Sequence, residues 1–414
     1  MSELKVVSLE ECLEKVIDYR GRTPKKLGKD WVKNGEYRAI SANNVKFDGL
    51  IREESIYRGD EELYKLWMKE EVEKGDILLT SEAPSGQAMI WDSDEKIILS
   101  QRLYALRVNK NLVDNSYLKY FIQSPLGQKS ITRNNSGSTV SGISAKTFKN
   151  IKILIPDLEN QQAISKFLLT IDQKIQVNNQ INQELEAMAK TLYDYWFVQF
   201  DFPDQNGKPY KSSGGKMVYN QELKREIPDG WGVEKLGDIA NITMGQSPKG
   251  TSYNEVGEGM LFFQGSTDFG WRFPVARQYT TEPSRIAEED DILLSVRAPV
   301  GTLNIADTRC CIGRGLAAIN SKVGANSYIF NVMQDFKKLF DMMNSVGTTF
   351  GSITKDDLYS LQLVYPPNEL LMKFDKSVNS FDREIKNRSR QNQELSQLRD
   401  WLLPMLMNGQ VKVE

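Results

Sequence analysis

The sequence carries one long polar segment twice, about 210 residues apart. Residues 178–197 read NNQINQELEAMAKTLYDYWF, and residues 388–407 read RSRQNQELSQLRDWLLPMLM. The tetrapeptide NQEL at 182–185 returns at 392–395. Solenoid repeats have periods of roughly 20 to 50 residues, so this much longer period predicts two domains of one kind.

Three further pairs of segments occur in the same order in both halves. They are GRTPKK from Gly21 and GQSPKG from Gly245, GDILLTSEAPSG from Gly75 and DDILLSVRAPVG from Asp290, and GST from Gly137 and GTT from Gly347. Each half therefore reads as a mixed domain of roughly 140 to 160 residues, followed by a helix of about 40 residues.

Short β-branched and apolar runs bounded by Gly, Pro, Asn and Ser predict strands at 76–80, 96–99, 151–155 and 361–365. Helical periodicity marks 117–123 and 328–340. The predicted fold class is α/β (mixed α+β), with two similar domains separated by a pair of long antiparallel coiled-coil helices.

An apolar seam with heptad spacing runs along each repeated helix, from Ile164 to Trp196 and from Phe374 to Leu406. Polar residues interrupt both seams near the middle, and Arg399 interrupts the second. Since the first helix leads from one domain to the next, the second can return beside it and form a spacer on the order of 50 Å long. The alternative is that each helix packs only on its own domain.

Two details of the helices carry further expectations. Asn182 and Asn392 would fix the register of the pair, because a polar residue inside such a seam costs stability but selects one alignment. Pro404 should end or bend the second helix, since it lacks a backbone donor. The predicted boundaries are a first domain at 1–158, its helix at 159–202, a linker at 203–230, a second domain at 231–368 and the second helix at 369–414.

Composition excludes several classes of protein. The chain contains no histidine, the commonest general base and zinc ligand. Cys12, Cys310 and Cys311 form no C-x-x-C pair, so we expect small buried apolar residues. A net charge of −2 means that any nucleic-acid binding is local or shared with a partner. With no apolar run of roughly 20 residues and no signal region, we expect a cytoplasmic protein.

Two similar domains held at a fixed distance, without a catalytic constellation, suit the reading of two DNA half-sites across unread base pairs. The candidate DNA contacts are basic, amide or hydroxyl side chains in loops. In the first half they are Arg20, Arg22, Lys25, Lys26, Asn43, Asn44, Gln87, Arg102, Arg133, Asn134, Asn135, Ser138, Thr139 and Lys146; in the second they are Gln246, Lys249, Gln264, Ser266, Arg272, Arg297, Arg314, Thr348 and Thr349. Each could instead be a solvated surface residue or part of an Asx turn.

Three motifs carry a resemblance to a known family. LYDYWFVQFDF at 192–202, IPDGW at 227–231 with KLGDI at 235–239, and LLPMLMNG at 402–409 resemble the specificity subunit of a type I restriction-modification system. The resemblance covers essentially the whole chain. It implies two target-recognition domains, each reading one half of a bipartite site in double-stranded DNA, with the helices as spacer.

The same resemblance implies that the chain is not an enzyme and carries no cofactor or metal. The helices would dock two methyltransferase subunits that bring S-adenosylmethionine, and restriction/translocase subunits would bring ATP and Mg; no membrane is implied. Trp196, Phe197, Trp401 and Met405 are candidate partner anchors. The halves differ at Ser85-Gly86-Gln87 and Val300-Gly301-Thr302, so they should read different half-sites.

Two alternatives stay open from the residues alone. One is a carboxylate-based hydrolase using Glu82 or Asp291, although Asp76 and Asp291 match between the halves in a turn-like context at the start of an apolar run, where capping is the commoner role. The other is a scaffold whose helix pair joins two proteins without reading DNA.

Overall fold

A computed structural model of the chain describes residues 4–135, 141–345 and 352–413. The chain divides into two compact units. Unit 1 is Met1–Val177 with Gln391–Glu414, and unit 2 is Asn178–Arg390. Each unit therefore combines one domain with a segment of each long helix.

The domain of unit 1 is built from short strands and short helices. The strands are β1 (Lys5–Ser8), β2 (Leu13–Asp18), β3 (Tyr37–Ile40), β4 (Val45–Lys46), β5 (Gly49–Leu50), β6 (Tyr57–Gly59), β7 (Ile77–Thr80), β8 (Ala88–Ile90), β9 (Ile98–Leu99), β10 (Leu103–Val108) and β11 (Lys152–Ile155). The helices are α1 (Leu9–Cys12), α2 (Glu61–Trp67), α3 (Asn115–Gln123), α4 (Pro125–Arg133) and α5 (Ala145–Lys149), and the long helix α6 (Leu158–Tyr193) follows.

The central sheet of unit 1 has the order β2-β10-β7-β8 and is buried on both faces. Ile77, Leu79 and Tyr104 pack into a cluster with α3, whereas Leu78 and Leu103 face a second cluster with Trp67. This arrangement explains why β7 reads as a continuous apolar run rather than an alternating one. A smaller sheet, β6-β3-β9, contains the parallel pair β3–β9.

Polar caps tie α6 to the domain of unit 1. The Asp114 carboxylate accepts the Tyr117 N–H at 2.8 Å, which caps α3, and accepts the Ser165 hydroxyl of α6 at 2.7 Å. The fully buried Gln161 amide donates to the Leu112 carbonyl at 3.1 Å. Such bonds satisfy helix-end groups that burial would otherwise leave unpaired.

Unit 2 repeats this plan. Its strands are β12 (Met217–Asn220), β13 (Arg225–Pro228), β14 (Gly232–Lys235), β15 (Ala240–Met244), β16 (Tyr253–Asn254), β17 (Met260–Phe263), β18 (Tyr279–Thr280), β19 (Ile286–Ala287), β20 (Ile292–Ser295), β21 (Leu303–Ile305), β22 (Cys310–Ile312), β23 (Leu316–Ser321) and β24 (Gln362–Tyr365). Its helices are α7 (Leu236–Ile239), α8 (Asn326–Ser345), α9 (Lys355–Tyr359) and the long α10 (Asn368–Met407). The sheet β15-β23-β20-β21 matches β2-β10-β7-β8, and the parallel pair β17–β22 matches β3–β9.

The predicted elements are confirmed in kind and position. The segments 76–80, 96–99, 151–155 and 361–365 contain β7, β9, β11 and β24, and the two helical segments lie in α3 and α8. The three cysteines are buried and unpaired, as expected.

The two long helices lie antiparallel within each unit. In unit 1, Leu168 of α6 shares a buried cluster with Leu403 of α10. In unit 2, Tyr193 of α6 contacts Phe374 of α10 at a ring-centroid distance of 6.2 Å. The alternative in which each helix packs only on its own domain is therefore wrong. Asn182 lies buried in this seam.

Two boundary predictions need correction. The segment 203–230, predicted as a linker, contains the β12–β13 hairpin, and its Ile227 is buried in the core of unit 2. Of the two effects expected of Pro404, the ending of the second helix is wrong, because this helix continues to Met407. The turn before Pro404 retains its packing, because Leu403 and Leu406 are both buried in the core of unit 1.

Candidate nucleic-acid interface

Strand register gathers the polar loops of unit 1 at one edge. Tyr104 pairs with Asp18, and Leu103 pairs with Thr80, so β2 and β7 end where β10 begins. The Ser81 N–H donates to the Arg102 carbonyl at 2.9 Å. The parallel strands β3 and β9 end beside the same loops, since the Ala42 N–H donates to the Gln101 carbonyl. We call residues 18–22, 41–44, 81–87, 100–102 and 141–144 the unit 1 loop edge.

Several predicted DNA contacts lie on the unit 1 loop edge with accessible side chains. Asn43 and Arg102 are exposed and Gln87 is half-buried. Arg102 pairs with Glu82 through an Nε–Oε1 distance of 2.9 Å. The Asn135 amide donates to Ser85 at 2.7 Å, which brings the end of α4 to this edge. These residues are therefore adjacent in the fold although they are far apart in sequence.

Other predicted contacts of unit 1 are engaged within the domain. Arg20 makes two bonds of 2.9 Å to Asp18, and Arg22 donates to backbone carbonyls at the end of α2. Lys26 donates to the Gly21 carbonyl at 2.7 Å. The remaining basic and amide side chains predicted here are exposed: Lys25, Arg133, Asn134 and Lys146.

Asn44 is a correction to the predicted set. It is buried, and its Oδ1 accepts the Ser41 N–H at 3.1 Å and the Ser41 hydroxyl at 2.8 Å. A side chain committed to such a turn has no free amide for a base edge. Asn43 and Asn44 are neighbours in sequence, yet only Asn43 faces solvent.

Unit 2 assembles an equivalent edge. The Gly245 N–H donates to the Leu316 carbonyl at 2.9 Å, the Val296 N–H to Gly315 at 2.9 Å, and the Gly315 N–H to Gln264 at 3.3 Å. We call residues 245–249, 264–266, 296–301 and 313–315 the unit 2 loop edge. The predicted contacts that lie exposed or half-buried on it are Gln246, Lys249, Gln264, Ser266, Arg297 and Arg314.

Arg272 does not belong to the unit 2 loop edge, which is a second correction. Its side chain is 6% exposed and bridges the two helices, with Nη1 3.0 Å from Glu186 of α6 and Nη2 2.7 Å from Asp382 of α10. Its guanidinium carbon also lies 3.9 Å from the centre of the Phe330 ring. Arg272 therefore anchors the second domain to both helices instead of facing DNA. Ser138, Thr139, Thr348 and Thr349 lie outside the described residues.

A charged cluster that the sequence analysis missed anchors unit 1 in a similar way. Asp172 of α6 lies 2.8 Å from Arg399 of α10 and 3.4 Å from Lys119 of α3. Burial acts to raise the pKa of Asp172, but Lys119, Tyr120 and Arg399 outweigh it, so that this pKa lies below its ordinary value. The repeat could have revealed these two aspartates, because Asp172 and Asp382 occupy equivalent positions in the two long helices.

Two of the predicted partner anchors are core residues. Trp196 and Phe197 are buried in unit 2, where both rings contact Phe374. They cannot serve as exposed anchors without unpacking that core. Trp401 is 66% exposed and Met405 is half-buried, so these two side chains reach the surface of unit 1.

Both carboxylates of the hydrolase alternative, Glu82 and Asp291, have structural partners, and Glu82 is the one that pairs with Arg102. Asp76 accepts the Glu73 N–H at 2.9 Å, and Asp291 accepts the Glu288 N–H at 2.9 Å, the same turn in both units. Asp76 also pairs with Arg107. The repeated aspartates therefore close turns, which accounts for their recurrence without catalysis.

Comparison with known proteins decides between the remaining possibilities. Residues 1–187 and 228–397 match the family described as the type I restriction modification DNA specificity domain. The chain belongs to this family. It is a non-catalytic specificity subunit of a type I restriction-modification system.

Two relatives from Methanocaldococcus jannaschii illustrate the match. The specificity subunit is 32% identical over 385 residues to a candidate type I restriction enzyme MjaX specificity subunit, covering 91% of this chain and 86% of that protein. It is 28% identical to the type I restriction enzyme MjaIX specificity subunit, covering 82% and 78%. The matches thus extend through both units.

A solved structure supports the fold of this specificity subunit. The crystal structure of the type I restriction-modification S subunit from M. genitalium superimposes with a TM-score of 0.61, covering 98% of this chain and 96% of that one. At 15% identity this likeness concerns the fold alone. Within the described residues, no helix has the length and apolarity needed to span a membrane.

Proposed function

We propose that the two loop edges read the two halves of a bipartite site in double-stranded DNA, one half each. The α6–α10 pair sets the unread gap and docks two methyltransferase subunits, with restriction/translocase subunits joining that complex. S-adenosylmethionine, ATP and Mg are then held by those partners. The restriction-modification family supports this assignment, and the arrangement of the loop edges gives it a physical basis.

The observation that carries the proposal is one scaffold with different polar side chains at matched positions. The parallel strand pairs β3–β9 and β17–β22 end in the same register, because their last residues pair as Ile40 with Leu99 and Phe263 with Ile312. Two residues beyond β9 stands Gln101, and two beyond β22 stands Arg314. An amide suits an adenine edge, whereas arginine suits guanine. A repeated fold with unlike loop residues is what the reading of two different half-sites requires.

The proposal is tested by sequencing the methylome of cells that contain the complex. We expect one bipartite motif with a gap of constant length. Replacing residues 1–158 by the matching domain of a relative should change one half of the motif and leave the other unchanged. A change in both halves, or methylation without sequence preference, would contradict independent reading by the two units.

A matched pair of substitutions refines the assignment. Arg314→Ala should relax base preference at one position of the half-site read by unit 2 and lower affinity about 5- to 150-fold, since a good bidentate contact contributes about 1–3 kcal/mol. The control is Arg309→Ala, in an exposed pair with Glu288 at the opposite end of β22, which should leave the motif intact. Equal effects of the two changes would indicate general electrostatics rather than base reading.

A further inference from the structure

A cavity of about 290 Å³ opens at the unit 1 loop edge. It lies where the parallel strands β3 and β9 end, and is lined by Ser41, Asn43 and Gln101 together with the aromatic residues Trp31 and Tyr57. The carboxyl ends of parallel strands are a common place for ligands, because loops from different strands converge there. Asn43 was predicted to contact DNA, whereas Trp31, Tyr57 and Gln101 were not.

The two aromatic residues form a fixed platform. The Trp31 and Tyr57 rings are stacked, with centroids 5.6 Å apart and an angle of 11° between their planes. Trp31 is held from the core side by Trp67, whose indole N–H donates to the Leu99 carbonyl at 3.0 Å. Tyr57 is nevertheless 64% exposed. An exposed ring supported from behind is suited to stacking against another flat ring.

The polar lining favours a neutral ligand over a phosphate. Among the described residues that line the cavity, Arg102 is the one charged side chain, and Glu82 already pairs with it at 2.9 Å. Because this arginine is already paired, the cavity has little net positive charge to attract a phosphate. Asn43 and Gln101 are exposed, and each amide supplies both a donor and an acceptor. Amides of this kind recognise the polar edge of a heterocyclic base.

We propose that this cavity receives one nucleobase of the half-site read by unit 1, with its face against Tyr57 and its edge toward Asn43 and Gln101. The inference rests on the proposed function, because it requires unit 1 to bind duplex DNA. A base inside a duplex is stacked on both faces, so this base must separate from at least one neighbour. The cavity then selects for the identity of the base, and also for a DNA sequence whose neighbouring base pairs unstack easily at this position.

Unit 2 provides an internal comparison. The register that places Tyr57 opposite Ala39 places Gln278 opposite Phe262, and Arg314 stands in the place of Gln101. The exposed Tyr57 ring and the Gln101 amide are therefore replaced in unit 2 by Gln278 and Arg314, and the stacked pair Tyr253–Phe262 of that unit contains a fully buried ring. Substitutions in the cavity should affect one half-site, and the other half-site reports whether the complex is intact.

The test measures Kd for the complete complex with its methyltransferase subunits, using duplexes that carry the bipartite motif found by methylome sequencing. Each position of the half-site read by unit 1 is replaced in turn by an abasic nucleotide, and each duplex is bound to the wild-type and Tyr57→Ala complexes. Tyr57→Ala should weaken binding to the intact motif about 5- to 150-fold, the range of base–aromatic stacking. At one abasic position this difference should vanish, because the base that Tyr57 contacts is already missing.

Three variants make the result specific. Tyr57→Phe keeps the ring and should bind like wild type, while Asn43→Ala should relax base preference at the same single position. Tyr219→Ala removes an equally exposed tyrosine of β12, outside both loop edges, and should change nothing. Since Tyr57 is largely exposed, its removal leaves no core cavity.

The outcomes separate this inference from the function on which it rests. If Tyr57→Ala weakens every abasic duplex equally, or none, then Tyr57 contacts the backbone or nothing, and the base-binding cavity is refuted. If the wild-type complex fails to prefer the bipartite motif over scrambled DNA, the proposed function itself fails. If the effect of Tyr57→Ala on Kd vanishes at one abasic position alone, both the base-binding cavity and the proposed function are supported.

Discussion

Arg399 of α10 lies 2.8 Å from Asp172 of α6, at a point where the heptad seam of the second helix is otherwise apolar. The two side chains are 11% and 22% exposed, so water screens them only in part. Asp172 also pairs with Lys119 and accepts a hydrogen bond from the Tyr120 hydroxyl. Arg399, which interrupts the predicted apolar seam of α10, therefore forms an ion pair with Asp172 of α6.

Removing the carboxylate of Asp172 should lower the stability of unit 1 more than removing the positive charge of Lys119 or Arg399. Asp172→Leu leaves Lys119 and Arg399 without their shared partner and should destabilise unit 1 by about 3 kcal/mol. Arg399→Leu should cost less, because Asp172 keeps Lys119 and Tyr120. Hydrogen exchange of amides in unit 1 would measure both losses, and Lys65→Leu, in an exposed pair with Glu61, is the control expected to have no effect. An Arg399→Leu variant that is the less stable of the two would refute this account.

The same carboxylate predicts a pH dependence. The folded-state pKa of Asp172 lies below its ordinary value of 3.8, so its contribution to stability is present above that value and is lost as the pH falls through the folded pKa. Asp172→Asn should therefore be less stable than wild type at pH 7, and the difference should shrink below about pH 4. Urea unfolding across this range would show it. A difference independent of pH would mean that packing, not charge, dominates.

Arg272 should act on stability and not on base preference. Arg272→Leu leaves Glu186 and Asp382 with no shared cation and should destabilise unit 2 by about 3 kcal/mol. The reason is that two partly buried negative charges then remain without a positive partner. The methylated motif should stay the same wherever methylation persists. Thermal unfolding and methylome sequencing of the variant would decide the point. A relaxed half-site in a variant of normal stability would return Arg272 to the DNA contacts.

The spacer is tested by lengthening both helices together. One heptad inserted near Asn178 and one near Arg388 keeps both seams in phase and adds about 10 Å of helix. At 3.4 Å per base pair this corresponds to about three base pairs, which also rotate one half-site by about 100° relative to the other. Any surviving methylation should keep both half-sites and show a longer gap. The original gap at an undiminished rate would exclude the helices as the ruler.

Net charge predicts cooperation with partners. At −2 overall, the isolated chain should bind DNA weakly at physiological salt, and the methyltransferase subunits should supply most phosphate contacts. Titrating labelled duplex with the chain alone and with the complex would measure the difference, together with its salt dependence. Nanomolar, sequence-specific binding by the chain alone would contradict this expectation.

The repeat could be predicted by comparing the two halves of the sequence, and the fold class and the helix pairing by the periodicity of the individual strands and helices. Single residues of the interface could not. Asn43 and Asn44 have the same side chain, and only the short turn that begins at Ser41 decides which is buried. Tyr57 and Gln101 meet through the pairing of β3 with β6 and β9, and Trp31 joins them because the Val32 N–H donates to the Arg58 carbonyl, information that local patterns do not contain. Arg272 resembled a surface cation because its two acidic partners are distant in sequence.

The origin of each anchoring cation affects how this gene can evolve. Arg399 belongs to a long helix, so it would remain in place if a different first domain were exchanged into the chain. Arg272 belongs to the second domain, so a replacement must bring its own cation or leave Glu186 and Asp382 facing each other uncompensated. The second position should therefore accept fewer incoming domains than the first, and new specificities should arise more often by exchange at the first.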